Sequence, residues 1–165
     1  MAQPIPIPPE PGQESVWDYP RPARWEDTPK RIKVVFNGVV LAETQRAKRV
    51  LETSHPPSYY IPPDDIAFAY LRQTSHRTFC EWKGVASYYT VSVNGKEATN
   101  AVWCFSSPTP NFIPIKDYCC FYARYMDACY VNDELITPQP GEFYGGWITK
   151  DLAGPFKGGP GTMGW

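Results

Sequence analysis

Apolar residues in this chain fall in short runs cut by polar turn pairs, the pattern of strands rather than of long helices. Arg31-Ile32-Lys33-Val34-Val35-Phe36 and Val39-Val40-Leu41-Ala42 flank Asn37-Gly38. Asn-Gly favours the tight hairpin turn, whose two central positions both need positive φ. The device recurs at Asn94-Gly95, between Tyr88–Val93 and Ala101–Phe105. A third turn is predicted at Asn132-Asp133, between Ala128–Val131 and Leu135-Ile136. Three hairpins predict a mainly β, antiparallel domain. Helix is predicted only at Asp65–Gln73, with Asp64 as N-cap and Ile66, Ala69 and Tyr70 on one face, and in a shorter turn at Lys116–Cys119.

Within this pattern, Cys80-Glu81-Trp82-Lys83-Gly84-Val85-Ala86-Ser87-Tyr88-Tyr89 stands out. It packs a thiol, a carboxylate, an indole, an amine and two phenols around a glycine, a mixture that suits a pocket better than a packing strand. Alternation puts Lys83, Val85, Ser87, Tyr89 and Val91 on one face and Trp82, Gly84, Ala86, Tyr88 and Thr90 on the other. Tyr88 and Tyr89 therefore point oppositely, one to a pocket and the other to core or surface. Lys83, walled by Trp82 and Tyr89, would lose part of its water and could bind an anion, act as a base or form a Schiff base. A lysine snorkelling along Trp82 explains it equally well. Glu52 follows two apolar residues and is a candidate partner for Lys83 or Arg49, although an exposed carboxylate is the simpler account.

Residues 1–29 carry eight prolines and are read as an N-terminal extension, with residues 30–165 as one domain. Trp17, Tyr19 and Trp25 predict that the second half of this arm docks as a strap, while Met1–Gly12 stays loose. The Gly-rich end, Gly154–Trp165, is expected to pack back on the domain, because Phe156, Met163 and Trp165 interrupt the glycines. Closure of this end over the pocket as a lid is an open expectation.

Charge is nearly balanced at −1, which argues against non-specific nucleic-acid binding and against a polybasic membrane anchor. No apolar stretch approaches the roughly 20 residues of a membrane helix, and the Pro-rich start has no signal-peptide core. Five cysteines with one vicinal pair predict reduced, mostly structural thiols in a cytoplasm. No Cys-x-x-Cys pair exists, so no zinc and no other cofactor is expected. Gly158-Gly159-Pro160-Gly161-Thr162 lacks the lysine and helix of a phosphate loop, and at most makes a small anion nest with Lys157. Cys80 with His76 or His55 is a weak candidate for a Cys–His nucleophile.

Several ordered blocks carry a resemblance. Val50-Leu51-Glu52-Thr53, Tyr59-Tyr60-Ile61-Pro62-Pro63-Asp64-Asp65, Cys80–Tyr89, Phe143-Tyr144-Gly145-Gly146-Trp147 and Gly154-Pro155-Phe156-Lys157-Gly158 resemble the family called domain of unknown function 427, over roughly residues 30–165. Members often carry Pro where this chain has Glu81. The resemblance implies a β-tent-like fold, two antiparallel sheets leaning together with one or two short helices. It also implies, by fold analogy with other β-tent proteins, an aromatic ligand cage to which Trp82, Tyr60 and Tyr89 would contribute. The family's nucleotidyltransferase-like label has no paired-carboxylate metal motif behind it here, since a helix cap accounts for Asp64-Asp65.

The sequence thus predicts a pocket of Glu52, Tyr60, Cys80, Trp82, Lys83 and Tyr89 that binds a small polar or anionic, partly planar molecule. The alternatives are a transferase- or hydrolase-type enzyme using Lys83 or Cys80 with Glu52, and an interaction module whose Pro-rich arm docks a partner. Neither nucleic acid nor membrane is an expected partner, and the expected state is a monomer or weak homodimer.

Overall fold

The computed structural model describes residues 4–165. Its strands are β1 (Glu14–Ser15), β2 (Arg24–Asp27), β3 (Ile32–Phe36), β4 (Val39–Thr44), β5 (Lys48–Leu51), β6 (Ser58–Tyr60), β7 (Leu71–Cys80), β8 (Gly84–Val93), β9 (Lys96–Cys104), β10 (Cys119–Phe121), β11 (Ala128–Val131), β12 (Glu134–Leu135), β13 (Thr137–Pro138), β14 (Trp147–Ile148) and β15 (Leu152–Ala153). Helix among the described residues is confined to short 3-10 turns, and no helix is long and apolar enough to cross a membrane.

The fold is mainly β, in several antiparallel sheets without a barrel. Two four-stranded sheets, β12-β11-β3-β4 and β10-β9-β8-β7, enclose the main core, and β2-β5-β6 forms a third. All three predicted hairpin turns form, with positive φ at Asn37-Gly38, Asn94-Gly95 and Asn132-Asp133. A reciprocal pair of backbone hydrogen bonds between Ile61 and Cys119, both 2.9 Å, joins the third sheet to β10.

In the β10-β9-β8-β7 sheet the strands β8, β9 and β10 are packed on both faces, whereas β7 carries no buried residue. Val91, Val93, Val102, Cys104, Cys119 and Phe121 pack into the main core with Ile32, Val34 and Phe36. On the opposite face Ala86, Tyr88, Trp103 and Cys120 meet Ala23, Val50 and Tyr60 from the third sheet and its approach. Tyr88 and Tyr89 therefore do point oppositely. Bulges interrupt the pairing, between Gln73 and Arg77 on β7 and between Ala98 and Val102 on β9, opposite Tyr89–Val91 of β8. Each slides the register by two residues, so side chains keep their faces while changing their neighbours.

The helix expected at Asp65–Gln73 does not form. The Asp65 carboxylate is taken by the Thr44 hydroxyl (2.6 Å) and Arg46 (3.0 Å), and the Ala67 amide donates to the Leu41 carbonyl (2.8 Å). These contacts with β4 hold the segment in two 3-10 turns, Pro63–Asp65 and Phe68–Tyr70, and Leu71 then opens a ten-residue strand. Tertiary pairing has overridden a weak local preference. A turn does form at Lys116-Asp117, closed by the Tyr118 amide on the Ile115 carbonyl (3.0 Å), but it follows a 3-10 segment at Pro110–Ile115 and ends before Cys119, which opens β10.

The arm docks as a strap. β1 pairs with β15 and β2 with β5, so residues 24–27 are part of a sheet. Val16 and Tyr19 are buried with Leu51 and Leu152. The Trp17 indole donates to the Pro155 carbonyl (2.9 Å) and packs on Trp165, so the Gly-rich end does fold back. Residues 5–11 are exposed, tied by the Ile7 amide to the Gly154 carbonyl (2.9 Å), and Met1–Gln3 lie outside the described residues.

Arg49 on β5 fastens the strap. It donates twice to Glu14 (2.7 and 3.2 Å) and through Nε to Glu26 (2.8 Å). Burial opposes the Glu26 charge, but the hydrogen bonds and charges of Arg49 and Arg24 hold its carboxyl below its ordinary value. Arg49→Met leaves Glu14 without its ion-pair partner and Glu26 with Arg24 alone, and should cost about 1–3 kcal/mol, less than a fully buried pair because both glutamates keep some water. The Glu26 contribution is present above its unfolded value of about 4.3 and is lost as pH falls through the lower folded value. Melting temperature followed against pH should accordingly fall more steeply in acid for the parent than for Arg49→Met. Equal slopes would contradict the assignment.

Candidate functional site

One cavity of about 340 Å³ opens on the second face of the β10-β9-β8-β7 sheet. Its floor is made by Ala86, Tyr88, Trp103 and Phe105. The Tyr88 hydroxyl is fixed by Thr78 (2.8 Å), and the Trp103 ring lies 4.5 Å from that of Tyr122.

The tip of the β7–β8 hairpin, Glu81-Trp82-Lys83, forms one wall. Gly84 closes the hairpin at φ 107, a conformation a side chain would resist. Thr109 straps the tip, its hydroxyl donating to the Trp82 carbonyl (2.6 Å) and its amide to the Lys83 carbonyl (3.1 Å). The Lys83 ammonium lies over the rings of Phe105 (5.7 Å) and Phe112 (5.8 Å) and makes no salt bridge among the described residues.

The opposite wall combines a turn and two distant segments. The His55 amide closes a turn on the Glu52 carbonyl (3.0 Å). The His55 Nδ1 lies 2.9 Å from the Thr53 carbonyl, an atom that only accepts, so Nδ1 carries the proton and Nε2 keeps its lone pair. Burial lowers the His55 pKa, helped by Lys157 and Arg21 and opposed by Glu52 and the Thr53 carbonyl, which leaves the imidazole neutral at pH 7. Its ring stands edge-on to Tyr144 at 4.8 Å. Lys157 lies over the Tyr144 ring (5.5 Å) and donates to the Trp165 carbonyl (3.3 Å). Gly145 presses against Trp103, where a Cβ would stand 2.3 Å from the indole. At the rim Phe79 and Phe143 are 74% and 65% exposed.

Of the residues expected in the pocket, the structure brings together Glu52, Cys80, Trp82 and Lys83. Tyr60 and Tyr89 are not among the lining residues, and both expectations are corrected. Tyr60 is 1% exposed within the packing beside the cavity, and its burial raises its pKa well above normal. Tyr89 faces the main core against Phe68, and Tyr88 holds the cavity position instead. His76 is exposed, with its ring 4.6 Å from Tyr88, whereas His55 shares the cavity with Cys80. Asp64 and Asp65 do not line it.

The family model described as Domain of unknown function (DUF427) matches residues 24–132. The chain belongs to the DUF427 family. The DUF427 match begins with β2 and ends one residue beyond β11, so it includes the strap's last strand and Glu52, His55, Cys80, Trp82 and Lys83. Gln139, Phe143–Gly145 and Lys157, which complete the cavity, lie past the DUF427 match, as do the last two blocks of the resemblance. No curated protein matches the chain.

Gln139 joins these late segments. Its buried amide donates to the Lys157 carbonyl (2.8 Å) and accepts from the Gly146 amide (3.0 Å). Gln139→Ala orphans both partners and should cost about 1–3 kcal/mol. Hydrogen exchange should accelerate at 141–146 and 157–162 and stay unchanged in the β7–β8 hairpin. Uniform acceleration, or none, would contradict the role given to Gln139.

Proposed function

We propose that this DUF427 protein binds a small polar or anionic, partly planar molecule in the cavity between the β7–β8 hairpin and the Gln139–Gly145 loop. The observation that carries the reading is the placement of Lys83. Lys83 lines the cavity with its ammonium over two rings, and among the described residues no carboxylate is bound to it. A cation so placed retains its capacity for an anion. Lys157 supports the reading as a second ammonium in the same lining, over the Tyr144 ring and with its one hydrogen bond among the described residues going to the Trp165 main-chain oxygen. Trp82, Trp103, Tyr88 and Tyr144 offer ring faces for a planar part. Glu52 and Glu81 also line the cavity, so a ligand with an N–H donor beside its anionic group fits better than a bare polyanion.

A transferase- or hydrolase-type activity is the second reading. What favours it is His55, a neutral imidazole with Nε2 unprotonated, in one cavity with Cys80 and Lys83. In that reading His55 rather than Glu52 is the general base, and Glu52 acts on His55 through its charge.

Thermal-shift titration with nucleotides, sugar phosphates, nucleobase-like heterocycles and amino-acid derivatives tests the binding reading. A ligand at about a hundred times its Kd should add roughly 2.7 kcal/mol to the folded state. Lys83→Ala should remove most of that shift and Lys157→Ala part of it, while Cys80→Ser leaves it intact. A shift lost in Cys80→Ser and kept in Lys83→Ala would overturn the binding reading in favour of thiol chemistry.

A further inference from the structure

Cys104 and Cys119 stand directly opposite each other on the neighbouring antiparallel strands β9 and β10. Antiparallel partners alternate between hydrogen-bonded and non-hydrogen-bonded pairs. The Tyr122 amide donates to the Ala101 carbonyl (2.9 Å), which makes Ala101/Tyr122 a bonded pair. Counting back along the register, Val102/Phe121 is non-bonded, Trp103/Cys120 bonded and Cys104/Cys119 non-bonded. The backbone of Cys119 agrees: both its amide and its carbonyl turn away from β9 to Ile61, each at 2.9 Å.

A non-bonded pair brings its Cα atoms to about 4.5 Å and its side chains closest together. That separation falls within the roughly 4.4–6.8 Å that a disulfide spans. Both side chains lie on the same face of the sheet, in the main core. Cys120 points to the other face, so the vicinal neighbour does not compete for Cys119.

We propose that Cys104 and Cys119 form a reversible cross-strand disulfide when the protein meets hydrogen peroxide. The Cys104 sulfur attacks one peroxide oxygen, an S–O bond forms, the O–O bond breaks and water leaves. The Cys119 sulfur then attacks the resulting sulfenic acid, the S–S bond forms, the S–O bond breaks and a second water leaves. Two thiols and one peroxide give one disulfide and two waters. The electrostatics agree with this order: the facing Cys119 side chain favours the Cys104 thiolate against the cost of burial, whereas the facing Cys104 and burial push the Cys119 thiol up, and Cys119 leans towards the Asp117 carbonyl (3.8 Å). Because both sulfurs are buried, the reaction is slow compared with oxidation of the partly exposed Cys80.

The loop this bond closes is the Phe105–Tyr118 segment. It carries Thr109, which straps the Trp82–Lys83 hairpin tip, and Phe105 and Phe112, which lie under Lys83. Oxidation would pin that segment at its base.

The test is mass spectrometry of the unmutated protein after graded peroxide treatment, alkylation under denaturing conditions and unreduced tryptic digestion. Cleavage after Lys96, Lys116 and Arg124 separates the two cysteines. The expected product is a linked pair of peptides, with fragmentation placing the bond on Cys119 rather than Cys120. It should vanish on reduction, form equally in Cys80→Ser, and slow hydrogen exchange across 105–118. Recovery of both Cys104 and Cys119 as alkylated thiols at doses and times well beyond full oxidation of Cys80 would overturn the proposal. So would a bond from Cys119 to Cys120.

Discussion

The structure depends on one sheet whose strands β8, β9 and β10 are packed on both faces. On either side of the irregularity at Ala98–Val102, side chains along β8 and β9 alternate between the main core and the cavity side, so Tyr88 and Tyr89, and Trp103 and Cys104, are neighbours in sequence and strangers in space. A one-residue slip would exchange the two sets and send Trp103 and Tyr88 into the core. The bulges at both pairings of β8 avoid that outcome by shifting the register by two. They slide Trp103 opposite Tyr88, which sets the aromatic floor, without disturbing which face each residue occupies.

The walls of the cavity come from far apart in the chain, and a few polar groups hold each in place. Thr109 holds the Trp82–Lys83 tip, Gln139 holds the late loop to Lys157, and Arg49 holds the strap against the third sheet. Gly145 matters for the opposite reason, since only the lack of a side chain lets the loop lie flat on Trp103. The two lysines thus reach one lining from a hairpin and from a folded-back end.

Hairpins and faces were legible in the sequence because turn chemistry and period-2 alternation are local. Asn37-Gly38, Asn94-Gly95 and Asn132-Asp133 needed no knowledge of the rest of the chain. The strand β7 was not legible: Ile66–Tyr70 has helical spacing, and the β4 contacts that decide against it are tertiary. Glu52, Cys80, Trp82 and Lys83 were found because they cluster in sequence or sit beside apolar runs. Tyr89 was chosen over Tyr88 because alternation gives two opposed faces without saying which one meets the third sheet. Tyr60 belongs to that third sheet, and its packing against the face of β8, β9 and β10 takes it out of the lining, which nothing local signals. Tyr144, Gly145 and Lys157 fell within blocks of the resemblance, yet nothing local ties them to Lys83. Gln139 gave no signal at all, since its role exists only between two loops.

Six tryptophans report on this arrangement, and only Trp82 and Trp103 line the cavity. The most direct test is fluorine NMR of protein carrying 5-fluorotryptophan, titrated with phenyl phosphate as a small planar anion. The account predicts saturable shifts at Trp82 and Trp103, abolished by Lys83→Ala, with Trp17, Trp25, Trp147 and Trp165 unmoved. Shifts confined to the other four, or shifts at Trp82 and Trp103 that survive Lys83→Ala, would contradict it.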